Sequence, residues 1–167
     1  DTPAPAGTIV EVDMSGTTQS AVVRAPKAPS APVVLVNGQQ ATVGGVTLAS
    51  QSGLKTDSVL VLDSSSTSST RLPKLKAAAL KYIAGMKPNE RVALVSTGGV
   101  PILEVALTTD QTLLTTAVNR LVASGGAATY DGVATAARLL SEQGEPLRTV
   151  QVLVASADKS SQGAGNI

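Results

Sequence analysis

Hydrophobic and polar positions along the chain fall into two textures. Through about the first fifty residues, short Val-rich runs alternate with turn signals. GTIVEVDMSG (Gly7 to Gly16) alternates apolar and polar residues in the manner of a half-buried strand, and QSAVVRAP (Gln19 to Pro26) is a second candidate. A Pro-rich link, APKAPSAP, leads into VVLVNGQQATV (Val33 to Val43), where Asn37-Gly38 separates two β-prone runs. Asn-Gly tolerates the positive φ angles of a tight turn, so this segment predicts a hairpin. Residues 1–53 are therefore expected to form a small β-rich extension and residues 54–167 a separate domain.

The second texture begins near Asp57. SVLVLD (Ser58 to Asp63) is a continuous apolar run, the pattern of a strand covered on both faces. RLPKLKAAALKYIAGM places Leu72, Leu75, Ala79, Leu80 and Ile83 at helical spacing, and KPNE supplies a stop. RVALVST (Arg91 to Thr97) and PILEVALT (Pro101 to Thr108) read as two further strands, joined by a short GGV turn suited to an antiparallel pair. Asp110 is placed to cap a helix over QTLLTTAVNRLVAS, because its carboxylate can accept from free first-turn amides. A third helix, Tyr130 to Gln143, is stopped by Gly144 and Pro146, and Arg148 to Ser156 reads as a last strand. The order β-α-β-β-α-α-β predicts the α/β class: an open, mostly parallel, Rossmann-like sheet flanked by helices. Such a sheet normally continues past this point, so either a missing C-terminal part or an edge completed by another chain is expected.

Composition narrows the chemistry. The chain has no Phe, no Trp and two Tyr, so its core must be packed from Val, Leu, Ile and Ala. Without Cys or His, zinc sites, thiolate chemistry and imidazole acid–base catalysis are excluded, leaving only oxygen-ligand metals. A formal charge of +1 without basic runs gives no footprint for nucleic acid or an anionic membrane. No apolar run approaches the ~20 residues that span a bilayer, so no membrane insertion by this segment is expected. A serine nucleophile would lack its usual base, and neither phosphate-cradling glycine motif occurs. The chain is accordingly not expected to be an enzyme. DTPAPAG reads equally as the start of a mature exported chain or as an arbitrary boundary.

The remaining candidate chemistry lies in DSSSTSSTR, where Asp63 is followed by eight residues of which seven are Ser or Thr. In open α/β sheets ligands bind at the carboxyl ends of strands, where Asp63 falls. Asp63, Ser65 and Thr67 at alternating positions can turn oxygens toward one point, which suits Mg²⁺ or Mn²⁺ with retained waters. Alternatively, the hydroxyls only satisfy the first amides of the helix beginning near Arg71.

SVLVLDSSSTSS, ERVALVST, LTTDQTLLTTAVNRL, GGAATYDGVATAARLL and RTVQVLVASAD occur in an order and spacing that resembles a von Willebrand factor A domain, from about Asp57 to the C-terminus. The resemblance implies a protein-binding module whose metal-ion-dependent adhesion site, D-x-S-x-S, maps to Asp63, Ser65 and Thr67. Two further ligand positions of the family fall on Ala127 and Ser156, which lack the usual groups; Thr129 is a nearby substitute. Fewer charged ligands mean lower affinity, so at most a weak Mg²⁺ or Mn²⁺ site is expected, with Asp63 also accepting hydrogen bonds from its own loop. Asp131, which follows Tyr130, is either a partner of the metal loop or a first-turn carboxylate favoured by the helix dipole. The partner surface implied by the family comprises Ser64 to Thr70 (with Ser64, Ser66 and Ser68), Gly98 to Val100, Gly125 to Thr129 (with Gly126), and Ser156 to Ser161 (with Asp158). Gly99 lies in the second of these loops. The β-rich extension leading into the domain also resembles exported actinobacterial proteins of the type II secretion F-type or Tad-pilus-related kind. That likeness implies an extracytoplasmic module engaging another protein, or a subunit of a surface, pilus or secretion assembly.

Overall fold

A computed structural model describes residues 8–13, 17, 19–24, 32–48, 51, 53–145 and 147–154. The chain divides into two compact units, Asp1–Leu54 and Lys55–Ile167. The link over residues 25–31 and the positions Ser156 and Asp158 lie outside the described residues.

In the first unit β1 (Thr8–Asp13) pairs antiparallel with β2 (Ser20–Arg24), with a register shift between Ile9 and Glu11. β3 (Val34–Val36) and β4 (Gln39–Ala41) form a two-residue hairpin. At its turn Asn37 has φ 52° and Gly38 φ 80°, the pair of left-handed residues that matches the twist of flanking strands. Val34, Leu35 and Val36 all remain exposed, so this unit has little core among the described residues.

The second unit is a four-stranded sheet in the order β7-β6-β5-β8. β5 (Thr56–Leu62) lies between β6 (Glu90–Ser96) and β8 (Leu147–Leu153), parallel to both, and β7 (Ile102–Thr108) runs antiparallel to β6. Because side chains alternate along a strand, β5 and β6 feed two cores. Leu60, Leu62, Val92 and Leu94 pack under α1 (Leu72–Ala84) and α2 (Gln111–Arg120), against Leu75, Ala79, Ile83, Leu114 and Val118. Val59, Val61, Ala93 and Val95 pack on the other face against Ala136, Leu139 and Leu140 of α3 (Thr129–Gln143). The continuous apolar run of β5 thus has a direct cause: both of its faces are covered.

Helix ends follow local chemistry. The Asp110 carboxylate accepts from the amides of Thr112 (2.8 Å) and Leu113 (3.0 Å), fixing the start of α2. α1 starts differently. Its N-cap is Arg71, with no side-chain cap, and Pro73 occupies the first turn. Proline brings no N–H to be satisfied there, and the Lys74 and Leu75 amides donate to the Arg71 carbonyl, so among the described hydrogen bonds no Ser or Thr hydroxyl caps this helix, contrary to one of the two expectations.

Candidate functional site

β5 delivers Asp63 to the carboxyl end of the sheet and both neighbouring strands hold it there. Asp63 N–H donates to the Leu153 carbonyl at 3.0 Å, and Thr97 N–H donates to the Leu62 carbonyl at 3.1 Å. The chain then folds into one 3-10 turn, Ser66–Ser68, with Ser65, Ser68 and Asp63 all buried. The Ser65 amide donates to Asp63 Oδ1 at 3.0 Å, and Ser68 Oγ donates to Asp63 Oδ2. Ser65 Oγ lies 2.9 Å from Thr67 Oγ1 and donates to Ser68 Oγ at 3.3 Å. The comb is therefore wound around its own aspartate.

This loop is joined to two others by main-chain hydrogen bonds. Ser66 N–H donates to the Gly125 carbonyl (3.0 Å), Ser124 N–H to Ser64 (2.9 Å) and Gly99 N–H to Gly126 (2.7 Å). Gly98 and Ala127 form an isolated antiparallel bridge. The approach requires glycine at Gly99 and Gly125, where φ is 90° and 63°. A Cβ on Gly125 would stand 2.6 Å from Gly99 Cα. Three loops expected at a partner surface are thus a single connected platform. Within it Ser66, Thr67, Gly99, Val100, Gly125, Gly126 and Tyr130 are exposed.

Ser64 and Ser68 depart from the expectation: both are 3% exposed. Ser64 accepts through its carbonyl from Ser124, and Ser68 serves Asp63, so they build the platform and do not present it. Ala127 is held at its bridge to Gly98, and Thr129 opens α3 half-buried. Asp131 is a half-buried carboxylate in the first turn of α3, the position favoured by the helix dipole.

The donor set can be compared with what a hard cation needs. Among the described residues no three acidic side chains converge. Yet the 2.9 Å between the hydroxyls of Ser65 and Thr67 equals the spacing of neighbouring oxygens around an octahedral ion with bonds of ~2.0–2.1 Å. The Asp63 carboxylate accepts from uncharged donors only, among the described residues. These groups fit a largely hydrated Mg²⁺ or Mn²⁺ held by one carboxylate and hydroxyls, and such a set binds weakly.

One residue at this end escaped the sequence reading. Thr97 is fully buried, and its Oγ1 has no hydrogen-bond partner among the described residues. A buried hydroxyl left unmatched costs about 1–3 kcal/mol. It is the register of β5 and β6 that reveals it: Leu62 pairs with Ser96, so Thr97 stands beside Asp63.

At the opposite end of the sheet lie two further polar clusters. Arg91 makes a two-pronged ion pair with buried Asp57, at 2.8 and 2.7 Å, and the Glu145 amide also donates to Asp57. Tyr82 donates to Glu90 at 2.6 Å and lies 2.9 Å from Ser58. Burial first, and the Glu90 carboxylate second, push the Tyr82 phenol up to about 12.

Over residues 58–159 the chain matches the family model of the von Willebrand factor type A domain. No curated protein matches it. Among solved structures it is similar to three N-terminal domains of the type V pili tip protein Mfa5 from Porphyromonas gingivalis, with 22% identity and TM-score 0.57 over 59% of this chain and 19% of that one. It is similar to the SpRpn10 VWA domain, with 16% identity and TM-score 0.52 over 68% of this chain and 64% of that one. It is also similar to the pilus adhesin SpaC from Lactobacillus rhamnosus GG, with 17% identity and TM-score 0.52 over 60% of this chain and 15% of that one. At these identities the likenesses bear on the fold alone. The chain spans between 15% and 64% of the lengths of these three structures.

Proposed function

The chain belongs to the von Willebrand factor type A domain family, and on that premise we propose that it is a protein-binding module, not an enzyme, acting outside the cytoplasm in adhesion or in the assembly of a surface, pilus or secretion apparatus. The observation that carries this reading is the platform at the carboxyl end of the sheet. Its loops are locked to one another through backbone bonds, while Ser66, Val100 and Tyr130 are left exposed. A surface ordered before encounter loses little further freedom on binding, which favours recognition of a folded partner. Similarity to domains of a pilus tip protein and a pilus adhesin supports the same setting. The Asp63, Ser65 and Thr67 oxygens add a weak Mg²⁺ or Mn²⁺ site that modulates the platform without dominating it.

Photo-reactive residues introduced singly at Ser66 and Val100, and as controls at Lys87 and Ser141 toward the other end of the sheet, test the proposal in the producing organism. Cross-linking of a discrete protein from the first pair alone is expected. Equal labelling from all four positions, or labelling from the controls alone, would remove the platform from the argument.

A second reading rests on β8. Among the described residues β8 pairs with β5 only, and Val152 and Val154 on this edge are 41% and 42% exposed. An unpaired edge with apolar side chains invites a strand from another chain, which would make the protein a subunit of a larger assembly. Light scattering after size exclusion discriminates: a monomer at every concentration speaks against strand exchange between copies.

A further inference from the structure

We propose that Thr97, which stands outside the Ser/Thr loop and on a different strand, is a positioning residue of the Asp63 site, holding through its hydroxyl a water of a bound divalent cation of the magnesium class. This rests on the reading of Asp63, Ser65 and Thr67 as a weak cation site and adds a residue to it.

Three observations converge. The register Leu62 with Ser96, and the bond from Thr97 N–H to the Leu62 carbonyl, put Thr97 directly across from Asp63. Neighbouring strands lie about 5 Å apart, within reach of a shared water or ion shell. Side-chain direction is fixed next. Val59 and Val61 of β5, and Ala93 and Val95 of β6, face α3, and two residues further on so do Asp63 and Thr97. The Thr97 methyl confirms this, since a Cβ on Gly132 of α3 would stand 2.3 Å from Thr97 Cγ2. With the methyl branch against the helix, the hydroxyl is the branch turned off it. Finally, that hydroxyl is fully buried and has no partner among the described residues, whereas the Asp63 carboxylate and the Ser65, Thr67 and Ser68 hydroxyls are engaged.

The chemistry is consistent. Magnesium-class ions shed water reluctantly and present their remaining waters as strong donors. A buried threonine oxygen with free lone pairs can accept from such a water. Groups that orient a coordination sphere in this way are worth about ten- to a hundredfold in metal affinity. The position also helps explain how a site with Ala127 and Ser156 at the family's remaining ligand positions keeps any affinity.

The test uses the whole chain and Mn²⁺ as probe, following free Mn²⁺ by electron paramagnetic resonance and heat by calorimetry, with melting in EDTA as the measure of folding. Thr97→Val keeps shape and removes the hydroxyl; Thr97→Ala removes the hydroxyl and the methyl together; Thr97→Ser keeps the hydroxyl and removes the methyl. Expected are saturable Mn²⁺ binding by the parent chain, about tenfold weaker binding by the Val and Ala variants, and binding close to parental by Ser. In EDTA, Thr97→Val should melt at or above the parental temperature, because an unmatched buried hydroxyl has gone. Saturable binding that Asp63→Ala abolishes and Thr97→Val leaves unchanged would overturn the role of Thr97 while sparing the cation site. No saturable binding by the parent chain up to about 10 mM, or binding indifferent to Asp63→Ala, would overturn both.

Discussion

Two buried aspartates mark the ends of the same central strand, and they are treated in opposite ways. Asp57, at the amino end of β5, meets a guanidinium in a two-pronged pair, with a backbone amide in support. Asp63, at the carboxyl end, meets a backbone amide and a serine hydroxyl. A buried charge is tolerated when it is paired, and costly when its partners are neutral. The amino end is electrostatically closed and serves the fold. Among the described residues the carboxylate at the carboxyl end has no cationic partner, which leaves it able to receive an outside cation or a donor on a partner. Cohesion at that end comes instead from backbone bonds between glycine-bearing loops.

The sharpest way to break this comparison is to remove the counter-charge. Arg91→Met leaves Asp57 buried beside no cation among its described partners and should cost about 3 kcal/mol, read as a lower urea midpoint at unchanged slope. At the other end, geometry should matter more than charge. Gly125→Ala forces a methyl against Gly99 and should cost about 1–3 kcal/mol, whereas Gly126→Ala, with open space around its Cβ, should be close to neutral in the same titration. A smaller effect is expected from Asp63→Asn. Its amide oxygen still accepts from Ser65 N–H, and the Ser68 hydroxyl can rotate to accept from the new NH₂, so stability should change by less than about 1 kcal/mol. A loss as large as that of Arg91→Met would erase the distinction between the two ends.

A further effect appears only in alkali. In the folded chain the Tyr82 phenol is pushed up to about 12 from an ordinary 10.0, so folding favours its protonated form. That contribution is complete below pH 10 and declines as pH rises from 10 toward about 12, because the unfolded chain releases the proton first. Tyr82→Phe should flatten the fall in melting temperature across this window, and an unchanged slope would mean that another group governs it.

The frame of the domain was legible because periodicity carries it. The unbroken apolar run of β5 announced a strand covered twice, and Leu72, Leu75, Ala79 and Ile83 announced one helix face. Asp110 was legible as a cap since its acceptor acts within three residues. What the residues of the Asp63 loop do was harder to see. In the sequence Ser64, Ser66 and Ser68 look alike, yet only Ser66 is exposed, because burial is decided by the loops that close over them from Gly98 and Gly125. The lock between Asp57, Arg91 and Glu145 joins residues 34 and 88 positions apart, a separation no local pattern encodes. Thr97 went unnoticed for a related reason: its neighbour in space is on another strand.

The main-chain seam between Gly98–Gly99 and Gly125–Gly126 has an evolutionary consequence. Bonds made by peptide groups do not care which side chains flank them, so Ser66, Val100 and Tyr130 can be exchanged while the seam stays closed. Selection acting on recognition is thereby uncoupled from selection acting on folding. The same separation makes those three positions the natural places to diversify in a binding library built on this scaffold.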